Sequence, residues 1–216
     1  DKSNLISKYN EKGYRDAQII SDSIYPVSSR RINIDIKVNE GNRYYFRNIS
    51  WIGNTKYTSA ELNKVLGIKP GDVYNAKRLE SSLYMSESSR DITSLYMDDG
   101  YLFFNIDPVE VSAENDSIDL EMRIYEGKQA RINHVTVKGN TKTNDRVILR
   151  EIRTKPGQLF SRSDIIRTQR ELSQLGYFNP EKMGVNPKPN PVDGTVDIEY
   201  EVEERPNDQV ELSGGW

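Results

Sequence analysis

The 216-residue chain contains no cysteine, which excludes disulfides, thiolate metal sites and cysteine nucleophiles. This absence leaves the compartment open, since it suits a reducing cytosol and an oxidising periplasm alike. The single histidine, His134, has no second imidazole to share a metal with. Triad catalysis would need it beside a serine and an acid, whereas it falls on a predicted strand. No run approaches the roughly 18 apolar residues of a membrane helix. There is no excess of basic charge either: 30 Lys and Arg face 33 Asp and Glu, a net charge of −3, which argues against a nucleic-acid binder. Glycines end strands but form no phosphate loop, and no spacing selects a carboxylate pair for acid–base work. We therefore expect no enzyme, no metal and no cofactor. A small hydrolase using surface carboxylates is the alternative from that class.

What is present points to small, wet modules. Charged residues make up 29% of the chain and hydrophobic ones 35%, and 13 Tyr stand against 5 Phe. Tyr packs its ring and keeps its hydroxyl in water, which suits half-buried surfaces. Comparing the chain with itself reveals a repeat. Gly53-Asn54-Thr55-Lys56 recurs as Gly139-Asn140-Thr141-Lys142, Lys69-Pro70-Gly71 as Lys155-Pro156-Gly157, and Glu40-Gly41 as Glu126-Gly127, all at an offset of 86. Gly-Tyr recurs as Gly13-Tyr14, Gly100-Tyr101 and Gly176-Tyr177, with spacings of 87 and 76. The middle copy therefore carries about ten extra residues between Leu79 and Gly100, in a repeat of small-domain size.

The middle copy reads as one unit. A short β-prone run, Asn48 to Ile52, ends at the Gly53-Asn54 turn. Thr58 or Ser59 caps a helix with Leu62, Val65 and Leu66 on one face, and Gly67 stops it. A second helix carries Leu79 and Leu83, then Ile92, Leu95 and Tyr96, and ends at Gly100. Two strand-like runs follow, Tyr101 to Val111 and Ile118 to Tyr125. The latter alternates Ile118, Leu120, Met122 and Ile124 with charged residues, as a strand with one face on a core does. The fold class is α+β: tandem β-α-α-β-β units, each a three-stranded mixed sheet covered by two helices. The last strand must lie in the middle, which leaves the strand starting at Tyr101 on an edge. The third copy repeats the plan, with Val196, Ile198, Tyr200 and Val202 inward, but Pro187, Pro189 and Pro191 are expected to break its edge strand. The first copy holds only a helix end and a hairpin, expected to be loosely ordered or docked on the middle copy. The expected division is 1–45, 46–128 and 129–205, with 206–216 a separate strand.

This order of landmarks resembles the POTRA (polypeptide-transport-associated) domains of BamA-type outer-membrane assembly factors. The likeness rests on the Gly-Asn-Thr turns, the Lys-Pro-Gly joints, Gly-Tyr before the edge strand and the Glu-Gly joints, and it spans essentially the whole chain. Val210 to Trp216 looks like the first strand of a following membrane barrel. The resemblance implies a protein with five such units, of which this chain would hold the end of the third, the fourth and the fifth. It also implies the periplasmic face of the outer membrane of a Gram-negative-type bacterium, tethered through the barrel.

On that reading the partners are unfolded outer-membrane clients and the lipoproteins of the assembly complex. An open sheet edge offers backbone N–H and C=O groups to any extended chain, so clients would add as strands. The candidate client-binding edge residues are Leu102, Phe103, Phe104, Asn105 and Ile106, with Ala17, Gln18 and Ile19 in the first copy. By resemblance the last unit would dock lipoproteins, with Arg150, Glu151 and Arg153 as candidates. Glu40, Gly41, Glu126 and Gly127 are the expected joints between units. The alternative within this architecture is the periplasmic part of a secretion pore that receives one dedicated substrate.

Overall fold

The structure is a computed structural model and describes residues 2–84, 86 and 88–206. The expected barrel strand from Val210 to Trp216 lies outside the described residues. The chain forms two compact units, one of residues up to 95 with 104–126, the other of 96–103 with 127 onward.

In the first unit, α1 (Lys2–Glu11) precedes the hairpin of β1 (Gln18–Ser28) and β2 (Arg31–Asn39), followed by β3 (Tyr45–Ile52), α2 (Ser59–Leu66) and α3 (Ala76–Leu83). Helix α4 (Ile92–Asp98) leads towards β4 (Asn105–Glu114) and β5 (Ser117–Tyr125). The sheet runs β3-β5-β4, with β5 parallel to β3 and antiparallel to β4. The last strand is central because the two helices carry the chain from β3 across one face. This face of β5 is the core: Ile118, Leu120, Met122 and Ile124 are all buried, with Phe46, Leu62, Leu66, Leu79 and Leu83. Thr58 and Glu61 form a reciprocal capping box on α2, and Gly67 ends that helix in the left-handed region, so both helix ends find partners for their free backbone groups.

The second unit repeats the plan with β6 (Arg131–Lys138), α5 (Asp145–Glu151), α6 (Arg162–Gln174), a 3-10 turn at Pro180–Lys182, β7 (Gly184–Asn190) and β8 (Thr195–Glu201), in sheet order β6-β8-β7. Val196, Ile198, Tyr200 and Val202 are buried as the alternation predicted. The Tyr200 hydroxyl is satisfied by Thr154 Oγ1 at 2.9 Å, which lets a phenol occupy the place that Met122 fills in the other sheet.

Three expectations change. The second helix of the middle repeat is two helices, α3 and α4. Asp91, only 1% exposed, breaks it. Its carboxylate accepts from Ser94 N–H (2.9 Å), Ser94 Oγ (2.7 Å), Ser86 N–H (2.9 Å) and Ser86 Oγ (3.1 Å), which caps α4 and closes the preceding loop. Second, β7 is not broken by its prolines. All seven residues stay in register with β8, because an outer strand tolerates proline where the missing N–H would point away from its neighbour. Third, β4 begins at Asn105, not Tyr101.

The hairpin has no core of its own. Ile32, Ile34 and Ile36 are 63%, 55% and 40% exposed, whereas their counterparts Ile118, Leu120 and Met122 are buried. The segment that leads into it is docked within the first unit: Tyr44 N–H donates to Gly13 O (2.9 Å), Asn75 Nδ2 to Glu11 O (3.0 Å) and Arg15 to Glu110 (2.7 Å).

Replacing Asp91 removes the acceptor that the half-buried Ser86 and the buried Ser94 share. Asp91→Ala is expected to lower stability by about 2–3 kcal/mol and Ser94→Ala by about 1 kcal/mol, read from urea unfolding midpoints at constant m.

Candidate functional site

Two recurring devices hold each repeat in shape. The first is a clasp between the Gly-Asn-Thr turn and a glutamate after the central strand. Gly53 has φ +88°, and a Cβ there would lie 2.1 Å from the Ile124 carbonyl oxygen; Gly139 has φ +92° and would meet Val202 O at 1.8 Å. Only glycine lets the turn pass this close to the central strand. Asn54 and Asn140 then each donate Nδ2 to a carbonyl three residues on, both at 2.9 Å. Glu126 accepts from the backbone N–H of Thr55 (2.8 Å) and Lys56 (2.9 Å) and from the Thr55 hydroxyl. Glu204 accepts from Thr143 N–H (2.6 Å), Lys142 N–H (2.9 Å) and Thr141 Oγ1 (2.8 Å). These bonds, the Thr143 N–H first, hold the Glu204 carboxyl down at about 2. Glu126, expected as a joint residue, is thus a clasp within the first unit, and sequence reading missed Glu204 in the same role because Arg205 replaces the glycine that marks Glu40-Gly41 and Glu126-Gly127. Burial and then the charge of Glu40 push the Tyr9 hydroxyl above its ordinary value. Gly41 and Gly127 share a φ of +68°.

The second device is the Gly-Tyr landmark. In the first unit Gly13 (φ +96°) faces Val73, where a Cβ would come within 2.6 Å of Val73 Cγ1, and its carbonyl accepts from Tyr44 N–H. In the second unit Gly100 (φ +87°) faces Leu159 in the same manner, and its carbonyl accepts from Ala130 N–H at 2.8 Å. Each seat lies just ahead of a repeat's first strand. Gly13 and Gly100 lie 87 residues apart and Val73 and Leu159 lie 86 apart, so the pair recurs within one residue of the repeat offset, a signal present in the sequence but not used there.

The expected edge residues divide. Leu102, Phe103 and Phe104 precede β4 and are not on the edge: Leu102 and Phe103 pack against the apolar core of the second unit, and Phe104 is buried. Asn105 and Ile106 open β4, but the Ile106 carbonyl already accepts from the Tyr84 hydroxyl at 2.7 Å. Ala17 is buried and precedes β1, of which Gln18 and Ile19 are the first residues. The free border of β1 lies further on. In its antiparallel register with β2, Asp22, Ile24 and Pro26 face Ile36, Ile34 and Ile32. Proline has no N–H, so Pro26 belongs to the pairs that do not bond across the hairpin, and alternation places the N–H and C=O of Asp22 and Ile24 on the outer side.

In the second unit, Arg150, Glu151 and Arg153 line a shallow charged groove with Lys155, Asp164 and Glu171. Arg150 Nε donates to Glu151 at 2.9 Å, and Arg153 grips Glu171 with Nε at 2.9 and 3.0 Å from its two oxygens, so the groove presents paired charges of both signs. His134 lies exposed on β6 with Nδ1 3.2 Å from Asp197 Oδ1. Among the described residues, no group of three or more His, Asp and Glu side chains is placed to hold a metal.

Tandem units of this topology, clasped by Gly-Asn-Thr and glutamate, define a recognised class of domain. The chain belongs to the POTRA family (surface antigen variable number repeat), whose pattern matches residues 44–127 and 130–205. It is 28% identical over its full length to the outer membrane protein assembly factor BamA of Neisseria meningitidis, covering 27% of that protein, and 27% identical to a putative outer membrane protein assembly factor of Treponema pallidum, covering 25% of it. The chain therefore spans about a quarter of the length of these curated relatives. The fold matches a crystal structure of Haemophilus influenzae BamA POTRA3-5 with a TM-score of 0.71 at 23% identity, over 94% of this chain and 78% of that one. It also matches BamA from Haemophilus ducreyi lacking POTRA domains 1-3, with a TM-score of 0.62, over 75% of this chain and 30% of that one. The repeats are POTRA domains of the BamA type.

Two predictions follow from the clasp. Gly139→Ala must displace the central strand and is expected to cost about 2–4 kcal/mol, read by urea unfolding, with Gly157→Ala, whose Cβ would meet nothing within 4 Å, costing less. The Glu204 carboxyl is depressed in the folded state, so its contribution is present above its ordinary value of 4.5 and fades as pH falls towards about 2. The stability gap between the wild-type chain and Glu204→Gln should accordingly be widest at neutral pH and close on acidification through that window, as measured by thermal melts at stepped pH.

Proposed function

We propose that this chain is periplasmic and serves an outer-membrane β-barrel assembly factor, receiving unfolded outer-membrane proteins by strand addition at its sheet edges. The carrying observation is the outer border of β1, where Asp22 and Ile24 turn backbone donors and acceptors outward on a strand paired on one side only. Backbone pairing reads no side chain, so one such border suits many clients. The names of the relatives, outer membrane protein assembly factors from Neisseria and Treponema, support the same reading. The groove at Arg150, Glu151 and Arg153 is the docking place for an assembly lipoprotein: its ion pairs are exposed and worth little internally, so a partner with complementary charges can exchange them at small cost. A membrane barrel following the described residues would hold the repeats at the periplasmic face of the outer membrane.

The test is a substitution that closes the border without breaking the hairpin. Ile24→Pro removes an outward N–H and leaves the β1–β2 ladder intact. It is expected to weaken binding of a urea-unfolded outer-membrane barrel protein about tenfold, measured by fluorescence anisotropy, with an unchanged circular dichroism spectrum. Unchanged affinity in a folded Ile24→Pro variant would remove strand addition at β1.

A further inference from the structure

In each repeat the outer strand that pairs antiparallel with the alternating strand carries proline: Pro26 in β1, Pro108 in β4, and Pro187 and Pro189 in β7. Their direction follows from the central strands. In the second unit, Val202 N–H donates to Lys138 O on the β6 side. By alternation Ile198 and Val196 face β6 too, so their partners on the other side, Pro187 and Pro189, turn their nitrogens away from β8. In the first unit, Leu120 O accepts from Ser50 Oγ on β3 at 3.4 Å. Met122 shares that direction, so its partner Pro108 also faces outward. The Tyr84 hydroxyl reaches the Ile106 carbonyl on that same outer side, two residues away.

The three borders are therefore unequal. β1 offers adjacent outward donors at Asp22 and Ile24. β4 offers Ile106 and Glu110, separated by the donorless Pro108 and with the Ile106 carbonyl already occupied. β7 offers Val185 alone, because the next two outward positions are both proline. A strand laid against β7 would find carbonyls but a single N–H, and would meet two pyrrolidine rings.

We infer that the outward prolines grade these three borders as strand acceptors: β7 is closed, β4 is interrupted, and β1 is the one of the three left open to an extended polypeptide. This rests on the strand-addition reading above, and it adds which repeats take part and why. Proline on the border is a general means of preventing edge pairing. Here its unequal use would direct incoming chain to β1 and away from β7.

The chain has no cysteine, so a single introduced thiol reports one border. Ser23→Cys in β1, Asp107→Cys in β4 and Asn186→Cys in β7 would each be incubated, in the full 216-residue chain, with a synthetic peptide of about ten alternating threonines and valines bearing one central cysteine. Disulfide trapping requires the close cross-strand approach that pairing provides. Trapping at Ser23→Cys is expected to exceed that at Asn186→Cys by about tenfold or more, the effect of two missing backbone bonds, with Asp107→Cys between them. Adding Pro187→Thr and Pro189→Thr to Asn186→Cys restores the donors and should raise trapping towards the Ser23→Cys level. Equal trapping at all three borders, or no gain in a folded double threonine variant, would overturn the grading and leave strand addition standing. Trapping at none of the three would overturn both.

Discussion

The architecture depends on a glycine turn passing against the backbone of the central strand. Gly53 and Gly139 sit where any side chain would displace the carbonyl of Ile124 or Val202. That contact fixes where the first strand ends, and Glu126 and Glu204 then bind the amides of the turn. Once the first strand is pinned to the central one, the helices can cover only one face of the sheet. The remaining strand takes the other side of the central one and is left with its far side unpaired. The exposed border thus follows from how the unit closes.

Much of this was legible in the sequence. The alternation of Ile118, Leu120, Met122 and Ile124 gave both the strand and its buried face, and the offset of 86 gave the repeat. The central place of β5 and β8 followed because the first strand needs a neighbour. The break between α3 and α4 was harder to read. Apolar spacing runs on from Leu79 to Tyr96, and only a buried carboxylate at Asp91 overrides it. Burial cannot be read from an aspartate's identity, since most are exposed.

The site was less legible for a related reason. Leu102, Phe103 and Phe104 form an apolar run, and hydrophobicity alone does not separate a strand from the turn that feeds it. Their side chains serve packing, and the strand begins at Asn105. Pro187 and Pro189 look like breakers because composition does not say which way a nitrogen points; the register with β8 decides it. Glu204 escaped because its following residue is Arg205, which hid the pattern shared with Glu40-Gly41 and Glu126-Gly127.

The loop closed by Asp91 has a use beyond stability. Length added between α3 and α4 is sealed off by one carboxylate and two serines before the chain resumes its helical path. The repeat in the second unit manages with a single helix, α6, in the corresponding place. The unit thus has a tolerant seam, a position where foreign sequence such as an epitope or a fluorescent reporter can be grafted while the clasp and the outer strands keep their registers.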